Sequence, residues 1–231
     1  MFFVYTFFIY LFDILNRNKR KRVIRLQDNV GILRIINEVL MADRSSPLNE
    51  LKMEFTELFK LIYENDIDTL EKARSEDVDF CKTDAYDQNS LLIAYAGSGY
   101  DKRYQPEDLI NFLLHCGIDI NHRRNKRGGE LAALHVAVSK MNYRIVSHLI
   151  DSGAEIDIRE INGNTPLWIA VMNYRGQENM YKIINLLVSK GASLDLINYH
   201  DRSVRDIINT IGGGIDAGHN KKEWDLRHLL K

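Results

Sequence analysis

Residues 163–170 read Gly-Asn-Thr-Pro-Leu-Trp-Ile-Ala, and residues 183–192 read Ile-Ile-Asn-Leu-Leu-Val-Ser-Lys-Gly-Ala. The first run is a turn followed by a helix start. Gly163 and Asn164 suit a tight turn, Thr165 can accept a hydrogen bond from the first helical turn, and Pro166 falls where its missing N–H has no intrahelical partner to lose. The second run gives a short helix an apolar stripe through Ile183, Ile184, Leu186, Leu187 and Val188. Gly191 can end it in the left-handed conformation that residues with a Cβ avoid. A turn with two short helices cannot bury its own apolar face, so the unit calls for similar neighbours on both sides.

The frame recurs. Upstream, Ala132-Ala133-Leu134-His135-Val136-Ala137 stands in the place of Thr165 to Ala170, with Ile145, Val146, Leu149 and Ile150 after it and Gly153-Ala154 as the stop. Earlier, Ser90-Leu91-Leu92 leads to Leu109, Ile110, Phe112, Leu113 and Leu114, and stops at Gly117. Earlier still, Thr56 and Leu58 lead to Leu70 and Ala73, with Asp77 at the glycine position. Ser203-Val204 opens a fifth, degenerate unit that runs into Gly212-Gly213-Gly214. The starts at Thr56, Ser90, Ala132, Thr165 and Ser203 lie 34, 42, 33 and 38 residues apart.

A period near 33 with this grammar resembles the ankyrin repeat. The Thr-Pro-Leu-His-x-Ala pattern survives in the third and fourth units as Ala132–Ala137 and Thr165–Ala170. The resemblance implies an all-α fold: an ankyrin-repeat solenoid of about five helix-loop-helix units with a helical N-terminal cap. The expected division is an apolar then basic segment at 1–25, an amphipathic capping helix at 26–46 and the repeats at 47–231. The units fall near 56–89, 90–131, 132–164, 165–202 and 203–231.

Formal net charge is −1, which points neither to a nucleic-acid polyelectrolyte nor to a disordered acidic tail. Cys81 and Cys116 stand in different units at no metal-ligand spacing, so they read as reduced thiols of a cytoplasmic protein, with a structural disulfide between them the lesser reading. Met1 to Leu15 is apolar and aromatic, followed by Arg17, Lys19, Arg20, Lys21, Arg22 and Arg25. The charge follows the apolar run, unlike a secretory signal, and the run is shorter than the ~20 residues of a spanning helix. Three readings stay open: an interfacial anchor drawn to anionic lipid, a short membrane insertion, or an unselected extension from an upstream start codon. Val30, Leu33, Ile36, Val39 and Leu40 then recur at helical spacing and would cover the open end of the first unit.

Two surfaces stand out as partner-binding candidates. Extra residues separate the helices of the second and fourth units, and these bends carry Tyr100, Arg103 and Tyr104 in one and Tyr174 and Arg175 in the other. Met141-Asn142-Tyr143-Arg144 recurs as Met172-Asn173-Tyr174-Arg175. Equivalent loops of a solenoid align along one edge, so the bends would form a Tyr/Arg strip of the kind enriched in interfaces. The alternative is that the tyrosines pack on helix ends and the arginines cap carbonyls. The second surface is the long turn with Arg123, Arg124, Lys126 and Arg127, a basic finger suited to an acidic protein patch, with phosphate or nucleic acid the lesser partner and plain solvation the alternative.

No catalytic constellation emerges and no cofactor is expected. His115-Cys116 sits at the end of an outer helix, where adjacent residues face apart. His135 occupies the histidine position of the motif, where the resemblance implies a structural hydrogen bond, and Trp168 replaces it one unit later. Gly213 to Asn220 lacks the Lys-Ser/Thr of a phosphate loop, and Asp66, Asp68 and Glu71 lack the spacing of a calcium loop. The expected function is a non-enzymatic protein-binding module. One version is an immunity protein that blocks a cognate toxin, since residues 163–176 and the short array resemble small bacterial ankyrin proteins of that type. A membrane-tethered adaptor is the alternative.

Overall fold

The computed structural model describes residues 53–98, 106–211 and 226–230. They fall within one compact unit, Leu51–Lys231. The expected capping helix at 26–46 and the segment at 1–25 lie outside the described residues.

Nine α-helices appear among those described: α1 (Phe55–Glu64), α2 (Ile67–Ser75), α3 (Leu91–Gly97), α4 (Pro106–His115), α5 (Ala133–Ser139), α6 (Tyr143–Asp151), α7 (Pro166–Asn173), α8 (Glu178–Ser189) and α9 (Val204–Ile211). No strand is present among the described residues, only two isolated antiparallel bridges, Thr83 with Ser90 and Arg123 with Ala132. Helices pair in order, α1 with α2, α3 with α4, α5 with α6 and α7 with α8, while α1, α3, α5, α7 and α9 form an inner row in which each packs on the next. The outer row runs through α4, α6 and α8. This is an all-α repeat solenoid.

Local chemistry sets the frame. Ser90 and Thr165 accept from the Ile93 and Trp168 N–H groups with their side-chain oxygens, and Pro166 sits at the first position of α7. Outer helices start on Asp66 and Asn142, which accept from Thr69 and Ile145. Four stops share one geometry. Asp77, Gly117, Gly153 and Gly191 adopt φ of 57°, 86°, 90° and 95°, and the N–H of the following residue donates to the carbonyl five positions back, at Ala73, Leu113, Leu149 and Leu187. Asp77 therefore does occupy the glycine position. Leu134, Leu149, Leu167 and Leu187 are all at most 1% exposed and share a single core.

Three details differ from the sequence reading. The first inner helix starts at Phe55 rather than Thr56, because the Glu57 carboxylate accepts from the Glu54 N–H and fixes the start there. Much of the insertion in the fourth unit is helix: α8 runs for 12 residues from Glu178, with Met180 buried and Lys182 paired to Glu178 at 2.7 Å. The second helix expected of the fifth unit, 203–231, is, where described, a 3-10 turn at Leu226–Leu230, packed on α9 through the buried Leu226.

Gly163 carries a prediction. Its φ is 76°, and an added Cβ would sit 2.9 Å from Tyr199 Cδ1 and 3.0 Å from the Tyr199 backbone nitrogen. Backbone cannot yield there without losing the Tyr199 N–H to Asn162 carbonyl bond. Gly163→Ala is expected to cost about 2 kcal/mol, a fall of roughly 4–8 °C in Tm by calorimetry.

Candidate functional site: the fingertip ridge

Between consecutive units the chain makes short hairpin fingers, at residues 82–89, 122–131, 159–164 and 197–202. In three of them a side-chain oxygen at the matching position ties the turn. Asp84 accepts from the Tyr86, Asp87 and Asn89 N–H groups, Glu160 from Asn162 and Asn164, and Asn198 from His200 and Arg202. Burial raises the Asp84 carboxyl, but the bonds from Asp87, Tyr86 and Asn89 outweigh it and hold the group below its usual value. The second finger is longer and solves the problem differently. Asn125 accepts from Gly128 across a 3-10 turn at Lys126–Gly128, and Gly129 leaves it at φ 75°.

Each finger is also bonded to the next through its backbone. Asn125 N–H donates to Asp87, Ile161 to Gly129 and Tyr199 to Asn162, all at 2.9–3.0 Å. His122 Nε2 donates to the Gln88 carbonyl and Arg123 to that of Arg159. His135 works underneath, fully buried: its Nδ1 accepts the Ala132 N–H at 3.1 Å and its Nε2 donates to the Asn164 carbonyl at 3.3 Å. Burial pushes its pKa down to about 4, so the ring is neutral and carries no partner-binding charge. The structural hydrogen bond expected for this histidine is present.

The fingertips expose large apolar groups: Tyr86 (66% exposed), Ile161 (39%), Ile197 (53%) and Tyr199 (67%). Both tyrosines are nonetheless held in place. The Arg127 guanidinium lies 4.4 Å from the Tyr86 ring centroid, and the Tyr199 ring rests on Gly163, where only a glycine leaves room. An exposed aromatic ring already fixed by its neighbour gives up little entropy on binding. Sequence periodicity gave no hint of these four residues. The available signal was large apolar side chains inside otherwise polar turns.

Residues named from sequence divide sharply. Arg123, Lys126 and Arg127 are exposed on the second finger; Arg124 is half-buried, with its side chain beneath Gly128. The Tyr/Arg strip does not form as expected. Tyr143 is exposed, but Arg144 is a bidentate partner of Glu107, at 3.1 and 2.7 Å. Tyr174 is a correction: it is 2% exposed, with its ring 6.3 Å from that of Tyr181, and burial raises its phenol to about 12. Arg175 folds back to donate to the carbonyls of Met172 and Tyr174. Tyr100, Arg103 and Tyr104 lie outside the described residues.

Among the described residues no group of His, Cys, Asp and Glu could hold a metal ion. Both cysteines are free, and burial lifts the Cys116 thiol to about 11. His115 Nδ1 donates to the Asn111 carbonyl one turn back, at 2.6 Å. Among the described residues no helix is long and apolar enough to cross a membrane.

Comparison with known families agrees with this architecture. Residues 101–198 match the family model for ankyrin repeats in three copies. The units within that stretch carry the ankyrin-repeat pattern. Protein fem-1 homolog C of Homo sapiens is 30% identical over 101 residues, which is 38% of this chain and 15% of that protein. An ankyrin repeat protein of Fowlpox virus (strain NVSL) is 30% identical over 122 residues, 52% of this chain and 32% of the viral one. Another, from Acanthamoeba polyphaga mimivirus, is 34% identical over 84 residues, 36% of this chain and 11% of its own. The chain thus spans a minor part of each relative's length. Ankyrin repeats are in general binding modules for other proteins rather than enzymes.

Proposed function

We propose that the array binds another protein and that the fingertip ridge of Tyr86, Arg123, Lys126, Arg127, Ile161, Ile197 and Tyr199 is its contact surface. The observation that carries this reading is the pair of exposed tyrosines, each immobilised by an adjacent finger. Aromatic and arginine anchors of this kind dominate binding energy at interfaces.

The test is titration of a purified partner against wild type and the triple variant Ile161→Ala, Ile197→Ala, Tyr199→Ala. Binding should weaken by at least about 2 kcal/mol, roughly 30-fold, with Tm within ~2 °C of wild type. Tyr143→Ala, on the opposite edge, is the matched control and should leave affinity unchanged. Equal affinity in the triple variant and wild type would remove the ridge.

A finer version names the partner as a toxin and the chain as its immunity protein. It is supported by the likeness of residues 163–176 alone, and a neighbouring gene for a secreted toxin whose lethality this chain suppresses is the observation to seek. The membrane-tethered adaptor depends on residues 1–25, outside the described residues, and gains no support from the repeat surface.

A further inference from the structure

We infer that the ridge takes an acidic protein segment, one bearing Asp or Glu beside apolar residues, with Lys126 and Arg127 as its charge-reading groups. This rests on the ridge being the contact surface.

The argument is about which charges face outward. The first three fingers carry six cationic and four acidic side chains, a small surplus that says little by itself. Their placement says more. Asp84 and Glu160 turn inward to accept backbone N–H groups, Glu160 being only 6% exposed, and Glu130 pairs with Arg123 at 3.5 Å. Lys82 points away from the tips, donating to the Met53 carbonyl. Lys126 and Arg127 are exposed at the crest of the second finger, and among the described residues neither makes an ion pair. Three of the four acids are consumed in building the fingers, Asp87 is half-buried, and Lys126 and Arg127 are presented.

Arg127 has the more specific geometry. Its guanidinium is seated against the Tyr86 ring, which fixes its position and leaves N–H donors for an incoming acceptor. A seated guanidinium suits the two oxygens of a carboxylate. Tyr86 lies against it, and Ile161 and Tyr199 expose apolar surface on the next two fingers, so the complementary segment combines carboxylates with apolar side chains. Nucleic acid fits less well. Proteins that rely on phosphate neutralisation engage on the order of 6–10 phosphates, and two presented cations on a chain of net charge −1 fall far short.

The experiment is selection of a random short-peptide library on the full-length chain, followed by affinity measurement of the enriched peptides at low and high salt. The expected result is enrichment of peptides that are net negative and carry Leu, Ile or aromatic residues. They should lose at least about tenfold affinity to the Lys126→Glu, Arg127→Glu variant, and more steeply than wild type loses it to salt. Both substitutions are at exposed positions, and an unchanged Tm certifies each variant.

Enrichment of neutral or basic peptides that still lose affinity to Tyr199→Ala would overturn the acidic assignment while leaving the ridge as the contact surface. Peptides indifferent to both variants, or no enrichment at all, would overturn both. A random single-stranded RNA pool bound more tightly than the best peptide would overturn the assignment in favour of phosphate.

Discussion

Chemical denaturation of the full chain is expected to show about 3 kcal/mol of stability lost between pH ~7 and ~4, beyond any loss shown by a His135→Gln variant. The His135 pKa is held near 4 in the folded chain against 6.5 for the free side chain. Above pH 6.5 the ring is neutral in both states and its contribution is intact. As pH falls below 6.5 the unfolded chain takes up a proton that the folded chain refuses, so unfolding gains about 1.4 kcal/mol per unit until pH 4, where the folded ring protonates too. The refusal has a clear cause, since Nδ1 must stay unprotonated to accept the Ala132 N–H and the site is closed to water. Glutamine can offer one acceptor and one donor without titrating. If the wild-type and glutamine curves ran parallel from pH 7 to 4, the neutral buried ring would be the wrong description.

The second large effect is in the core. Leu167→Ala on α7 should cost roughly 3–5 kcal/mol and lower Tm by about 6–20 °C, read by thermal unfolding. Leu167 is fully buried, on an inner helix packed on both α5 and α9. In a stacked array each interface is shared by two units, so the loss weakens the seams on both sides of α7. Met172→Ala, on the same helix but 39% exposed, is expected to stay within ~0.5 kcal/mol. A core substitution no worse than the surface one would mean that the inner row is not the continuous interior described.

The repeat frame was legible because it is written in residues with few conformational alternatives. Ser90, Thr165 and Pro166 mark helix starts, and Gly117, Gly153 and Gly191 mark stops whose positive φ the chain then shows. The bends were not legible, and the duplicated Met-Asn-Tyr-Arg shows why. In the third unit Met141 takes φ of 56° and Asn142 caps α6, so Tyr143 begins a helix and faces out. In the fourth, Met172 and Asn173 are the last residues of α7, and Tyr174 follows its end and turns inward. The same four residues start one helix and finish another, since helix length is set by packing along the whole unit rather than by the tetrapeptide. Fingertips escaped for a related reason: their residues obey no period, and exposure there depends on how neighbouring fingers lean together.

Two kinds of tie run along opposite sides of the array. Fingers are linked by main-chain bonds, whereas the outer helices are linked by side chains at the surface, Arg144 to Glu107, His148 to Asn111 and Lys190 to Asp151. Salt screens the charged ties and leaves the main-chain bonds nearly untouched. Mechanically the array is a book bound at the fingers. Raising the salt concentration is therefore expected to loosen the ties between outer helices, while the spine that presents Tyr86 and Tyr199 keeps its spacing.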